Sequence, residues 1–237
     1  MSLVRTLLLL PAAAFVGGLA FLASNAGANM PPPALTNPPR TIVIGVDLST
    51  SNPLIRDPGF AAKVAERIRP VISNLAPRSR VILRSFGAYN SSANSTLTFD
   101  ITIAPKTARA DDIAKLVSGV VAGIPQMVQQ GRLQAQFETN IVPFLLNMSK
   151  VVDCRAMPVH ILLASDGVED SQVANLARRN ATLPAPAAAP FPGCEELQIL
   201  GIGRGLNSPA DTERLYGEWQ YWSQRAGFKS FIGLNDW

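Results

Sequence analysis

The residues best suited to chemistry are oxygen-bearing side chains placed just past apolar runs. Asp47-Leu48-Ser49-Thr50-Ser51 follows the β-branched segment Thr41–Asp47, so a carboxylate and two hydroxyls recur at alternating positions immediately beyond a strand. A second apolar run ends in Leu163-Ala164-Ser165-Asp166-Gly167, and Thr139 stands in the loop before an apolar helical pattern that starts at Ile141. Hydroxyls and carboxylates are hard oxygen ligands. Mg²⁺ takes six of them in a near-octahedral array at about 2.0–2.1 Å and readily keeps waters among the six. Two carboxylates with three neutral hydroxyls would leave such an ion electron-poor and with a position open to a further carboxylate. The plainer alternative is local: Asp47 caps a turn or helix and the serines satisfy backbone donors. Glu169 and Asp170 lie near enough to add negative charge, but are better placed to cap a helix that follows them.

Other chemistries find less support. His160 is the one histidine, lies inside a strand pattern and has no partner in the sequence, which removes hydrolytic schemes built on a histidine base. No nucleophile, general base or second metal site stands beside the Asp47 motif, so a Mg²⁺-assisted hydrolase is the weakest of the readings and the chain is expected not to be an enzyme. The net charge is +4, but the basic residues are scattered and form neither a stripe nor a nucleic-acid motif, so no nucleic-acid partner is expected. Leu215, Trp219, Trp222 and Ala226 share one helical face and read as core rather than as a carbohydrate platform, with Tyr216 and Tyr221 flanking them.

The elements that must hold these residues follow from periodicity. Hydrophobic residues make up 47% of the 237 residues and charged ones 16%, which suits one α/β domain whose sheet is buried on both faces. Strands are expected at 41–47, 80–86, 159–164, 196–203 and 228–232, and helices at 59–76, 110–130, 141–152, 171–179 and 209–226. Segment 95–104 alternates strictly, with Leu97, Phe99, Ile101 and Ile103 on one face, and reads as an antiparallel edge strand. The fold class is therefore α/β, a Rossmann-like doubly wound, mostly parallel sheet with one antiparallel edge strand and helices on both faces. Residues 180–193, rich in Ala and Pro, read as a long loop.

The first 28 residues read as an export signal: Arg5, an apolar run from Leu7 to Leu22, and Ala26-Gly27-Ala28 as a cleavage context. The run is shorter than the roughly 20 residues of a membrane span, so cleavage is favoured over a retained inner-membrane anchor. Residues 29–40 hold five prolines and form a spacer, leaving 41–237 as the domain. Cys154 and Cys194, an even count in an exported chain, are expected to pair, with two free thiols as the alternative. A periplasmic or secreted bacterial protein is favoured. The triplets beginning at Asn90, Asn94, Asn147 and Asn180 would carry glycans only in a eukaryote.

D-x-S-x-S after the first strand, a threonine before the third helix and D-G after the next strand together resemble the metal-ion-dependent adhesion site of von Willebrand factor type A (VWA) domains. The resemblance covers about Thr41 to the end, including the order of elements. It implies that Ser49 and Ser51 bind the ion directly, that Thr139 reaches it from the second loop, and that Asp47 and Asp166 act directly or through water. Thr107 also precedes a helix and is the competing threonine. The implied ion is Mg²⁺, with Mn²⁺ or Ca²⁺ as alternatives, and the implied partner is a protein offering an Asp or Glu carboxylate. If the sheet follows the family order, the strands at 159 and 197 are neighbours and both cysteines fall at the amino edge, opposite the metal. The competing expectation is an envelope-assembly component that uses the same scaffold without metal.

Overall fold

A computed structural model describes residues 37–88, 94 and 96–237. The expected export signal, most of the proline-rich spacer and Asn90 lie outside the described residues. No described helix is long and apolar enough to cross a membrane.

Six strands form one sheet in the order β3-β2-β1-β4-β5-β6. They are β1 (Thr41–Asp47), β2 (Arg80–Phe86), β3 (Thr98–Thr102), β4 (Val159–Ala164), β5 (Glu196–Leu200) and β6 (Ser230–Leu234). Only β3 is antiparallel, pairing with β2 from Arg80↔Thr102 to Arg84↔Thr98. β2 and β3 follow one another along the chain and lie side by side in opposite directions. The edge strand expected over 95–104 is thus confirmed and shorter.

The helices are α1 (Pro58–Ser73), α2 (Ala110–Ala122), α3 (Ile124–Gln129), α4 (Ile141–Met148) and α5 (Pro209–Ala226). They cover both faces of the sheet. Ile42, Ile44 and Val46 of β1 join α1, α2 and α3 in one core, while Val43 joins α4 and α5 in the other. The alternation of a single buried strand thereby feeds two cores. Gly45 lies on the second face because a Cβ there would come within 2.7 Å of the Phe144 ring and 2.6 Å of Leu163. Leu215, Trp219, Trp222 and Ala226 are all buried in that core, as their helical spacing predicted, whereas Tyr221 is exposed.

The strand expected over 196–203 ends at Leu200, that expected over 228–232 lies at Ser230–Leu234, and the helix expected over 59–76 ends at Ser73. Three further helices differ more. The helix expected over 110–130 breaks at Gly123, where Pro125 in the first turn of α3 has no N–H to continue α2. The helix expected over 141–152 ends at Met148 in a turn closed by Val151 N and Val152 N on Met148 O. No helix forms over 171–179. Ser171 Oγ accepts from Val173 N at 3.0 Å, Asn175 Nδ2 donates to Asp170 Oδ1 at 2.6 Å, and Leu176 N donates back to Glu169 O at 2.8 Å. Those side chains supply the backbone with local partners that compete with a helical ladder.

A disulfide joins Cys154 to Cys194 across 40 residues. Cys154 precedes β4 and Cys194 precedes β5, which are neighbours, so the bond closes the amino edge of the sheet.

Candidate metal centre at the carboxyl edge of the sheet

β1 lies between β2 and β4, and the strand order reverses at the β1–β4 boundary. In doubly wound sheets this is where the loops beyond the carboxyl ends diverge and leave a crevice. Asp47 ends β1, and Ser165 and Asp166 directly follow β4, so both acidic tips meet there.

The local chain geometry is set by the side chains themselves. Asp47 Oδ1 accepts from Ser49 N at 2.8 Å, folding the D-x-S turn back on its own carboxylate. Asp47 Oδ2 accepts from Ser165 Oγ at 2.7 Å, joining the two strand tips. Asn52 reinforces that join, its Nδ2 donating to Asp47 O at 2.8 Å and to Ala164 O at 3.1 Å. Asp166 Oδ1 accepts from Val168 N at 2.9 Å, and the Ser51 hydroxyl bonds the Asp166 carboxylate. Ser49 Oγ lies 3.2 Å from Ser51 Oγ. Asp47, Ser49, Ser51 and Asp166 therefore form one connected set of oxygens. All are buried except Ser51, which is exposed and marks the open side.

Thr139 is buried and is tied to the same end by main-chain bonds: its N donates to Asp170 O and its O accepts from Asp170 N, both at 3.0 Å. Its own loop is fixed to the Ser49 turn through Thr50 N to Gln136 O at 2.7 Å and Gln136 N to Leu48 O at 2.9 Å. Thr107, the competing threonine, is exposed beyond β3. Glu169 does cap a helix, but the preceding one: its Oε2 accepts from Val142 N at 2.8 Å in the first turn of α4, while Oε1 accepts from Ser171 Oγ at 2.5 Å. Asp170 caps nothing and instead pairs with Thr139 and Asn175.

The electrostatics are those of an acid pair short of positive charge. Burial, and then the neighbouring Asp166 charge, push Asp47 up to about 7 in spite of its bonds from Ser165 and Ser49. Burial raises Asp166 as well, opposed by its bonds from Val168 N and Ser51 and by the charge of Arg56. Burial pushes Glu169 up to about 7. Arg56 is the cation that Asp166 feels, and its guanidinium donates to Ser51 O at 3.5 Å.

The residues fit a hard divalent cation on two observations. The donors are two carboxylates and two hydroxyls, all hard oxygens, although no three or more His, Cys, Asp and Glu gather into a metal-holding group among the described residues. The Ser49–Ser51 separation of 3.2 Å is close to the ~2.9 Å between adjacent oxygens of an octahedron with Mg²⁺ bond lengths.

Ser165, Asn52, Gln136 and Trp219 escaped the sequence reading as parts of the site. Ser165 was legible, since it precedes Asp166 at the strand tip. Trp219 was read as core, yet its Nε1 also donates to Gly167 O at 2.7 Å and holds the D-G turn, where Gly167 has φ of +75°. Nothing in local spacing marked Asn52 or Gln136, whose partners lie on other elements.

The topology defines a doubly wound α/β domain with a mostly parallel sheet. No protein-family model matches the chain, and no curated protein matches it. Among solved structures, the pilus adhesin SpaC from Lactobacillus rhamnosus GG in its open conformation is similar over 85% of this chain at 12% identity, with a TM-score of 0.46. A second structure of that adhesin gives 12% identity over 85% with a TM-score of 0.48. The human COPII-coat protein Sec24c gives 12% identity over 84% with a TM-score of 0.43. The present chain spans only 28% or 29% of the length of each of those chains.

Proposed function

We propose that the chain is an exported, metal-dependent protein-binding module whose carboxyl-edge site holds a partner's Asp or Glu through a divalent cation. The observation that carries this reading is the buried pairing of Asp47 with Asp166, bridged to Ser49 and Ser51 and supplied with little positive charge of its own. A cation is what such a set lacks. Ser49 and Ser51 would hold the ion, Asp47 and Asp166 would balance its charge, and Thr139 would complete the set from the loop carrying Gln136. When bound, Mg²⁺, Mn²⁺ or Ca²⁺ supplies an electrophilic centre for a carboxylate from outside. Ser51, at the exposed side, is where a partner would approach.

The Cys154–Cys194 bond supports an oxidising location, periplasmic or extracellular. This reading assigns the site a binding role and no catalytic one. The test is capture of an immobilised partner, or of aspartate-bearing peptides, with and without EDTA. Binding that survives both EDTA and Asp47→Ala in a folded protein would refute metal-dependent docking.

A further inference from the structure

The opposite end of the sheet carries a second, unrelated feature. Between the C-terminal half of α1 and the α1-facing side of β1, β4, β5 and β6 lies a groove of about 500 Å³, within the range of small-molecule sites. Register places its floor. Leu162, Gln198 and Ile232 stand in one row across β4, β5 and β6, and Ile42, His160 and Glu196 stand in another across β1, β4 and β5. Leu197 and Ile199 on either side of Gln198 enter the core of the other face, so Gln198 projects toward the groove.

Gln198 is out of place in that row. It is only 4% exposed, and its Nε2 has no hydrogen-bond partner among the described residues. A buried donor without an acceptor is a standing penalty that an acceptor from outside removes. Arg40 and Arg67 also line it; Arg40 donates to Asn37 Oδ1, and neither guanidinium forms an ion pair among the described residues. Glu196 is the groove's one acid and bonds Ser230 Oγ at 3.4 Å. His160 is half-buried, and burial lowers its pKa, so at neutral pH it adds no charge.

We infer that this groove binds a free amphiphilic carboxylate, its apolar body lying on Leu162, Ile232 and Ile42 and its polar end meeting Arg40, Arg67 and the Gln198 amide. Apolar floor, unsatisfied donor and two unpaired cations are complementary to that class of ligand and to neither a cation nor a neutral sugar. The site lies at the amino edge, away from Asp47 and Asp166, and does not depend on metal.

Decanoate, below its micellar concentration and titrated calorimetrically into the full chain, tests the inference, with decyltrimethylammonium as the cationic counterpart. Decanoate is expected to bind one to one, equally in EDTA and Mg²⁺, and decyltrimethylammonium not to bind. Arg67→Gln and Arg40→Gln should each weaken decanoate binding about tenfold or more, by loss of a charge-assisted bond. Gln198→Leu should weaken it severalfold without lowering thermal stability, and Glu196→Gln should tighten it. Absence of decanoate binding, or binding indifferent to both arginine variants, would overturn the proposal. So would attachment to phosphatidylglycerol vesicles without binding of decanoate, which would mark a lipid surface instead.

Discussion

Replacing Asp47 by Asn separates the electrostatic account of the metal centre from a purely structural one. Asn retains an oxygen to accept from Ser49 N, and its amide can donate to Ser165 Oγ, a hydroxyl able to accept in return. What changes is the charge. Asp47 rises from 3.8 to about 7 in the fold, about 3 units, equivalent to an upper bound of about 4 kcal/mol. A carboxyl group raised by folding contributes stability that is intact below its unfolded value near 4 and is lost as pH rises through about 7. At pH 8 in EDTA, Asp47→Asn should therefore be more stable than the parent, by up to roughly 8–16 °C in Tm at about 2–4 °C per kcal/mol for a domain of this size. Mg²⁺ closes most of that gap. At a hundred times its Kd the ion stabilises the parent by about 2.7 kcal/mol, and the variant should gain almost nothing. Differential scanning calorimetry at pH 5 and pH 8, in EDTA and in Mg²⁺, reads all four corners. A variant that is less stable than the parent in EDTA at pH 8, or that keeps the full Mg²⁺ shift, would refute the argument.

Three further outcomes follow from particular bonds. Glu169 is raised from 4.5 to about 7, so the same sign applies: Glu169→Gln should match the parent near pH 4.5 and exceed it by up to about 3 kcal/mol above pH 8, as urea unfolding in EDTA across that range would reveal. Asn52→Ala removes two donations that join the β1 and β4 tips and a bond to Leu54 N. It should cost about 3 kcal/mol and quicken amide exchange at the Ser49 turn; unchanged exchange there would discount the bridge. Replacing both Cys154 and Cys194 by Ala reopens a 40-residue loop and should cost about 4 kcal/mol while leaving the Mg²⁺ shift intact, since the bond lies at the far edge of the sheet.

Periodicity proved sufficient where one residue pattern decides one element. β1, β2, β4 and α5 occupy the ranges expected, because each is an unbroken apolar run or a continuous helical face with clear punctuation. It failed where side chains compete with the backbone. Residues 171–179 have helical composition, but Ser171, Asn175 and Asp170 spend their hydrogen bonds on turns, and Glu169 turns its carboxylate to α4 instead of to the segment after it. That choice depends on where α4 lies, 27 residues earlier in the chain, which no local window contains. The acids and serines of the metal centre were legible because each sits at a strand tip. Asn52 and Gln136 were not, because their roles are defined by tertiary neighbours.

The distribution of rigid and costly features across the sheet bears on which reading of the site is right. The amino edge is locked by the disulfide. That bond lowers the free energy of the fold with or without metal. The carboxyl edge, in contrast, keeps two buried acids side by side, an arrangement that destabilises the cation-free protein and that a scaffold alone does not require. Asn at 166 could accept from Val168 N as Asp166 does, without the charge. A penalty that is electrostatic, confined to one crevice and bordered by serine hydroxyls is the kind a bound cation reverses. Strain of this sort concentrates at functional sites because elsewhere it has no compensating use. The metal-dependent reading accounts for Asp166 being a carboxylate, whereas the scaffold reading leaves it unexplained.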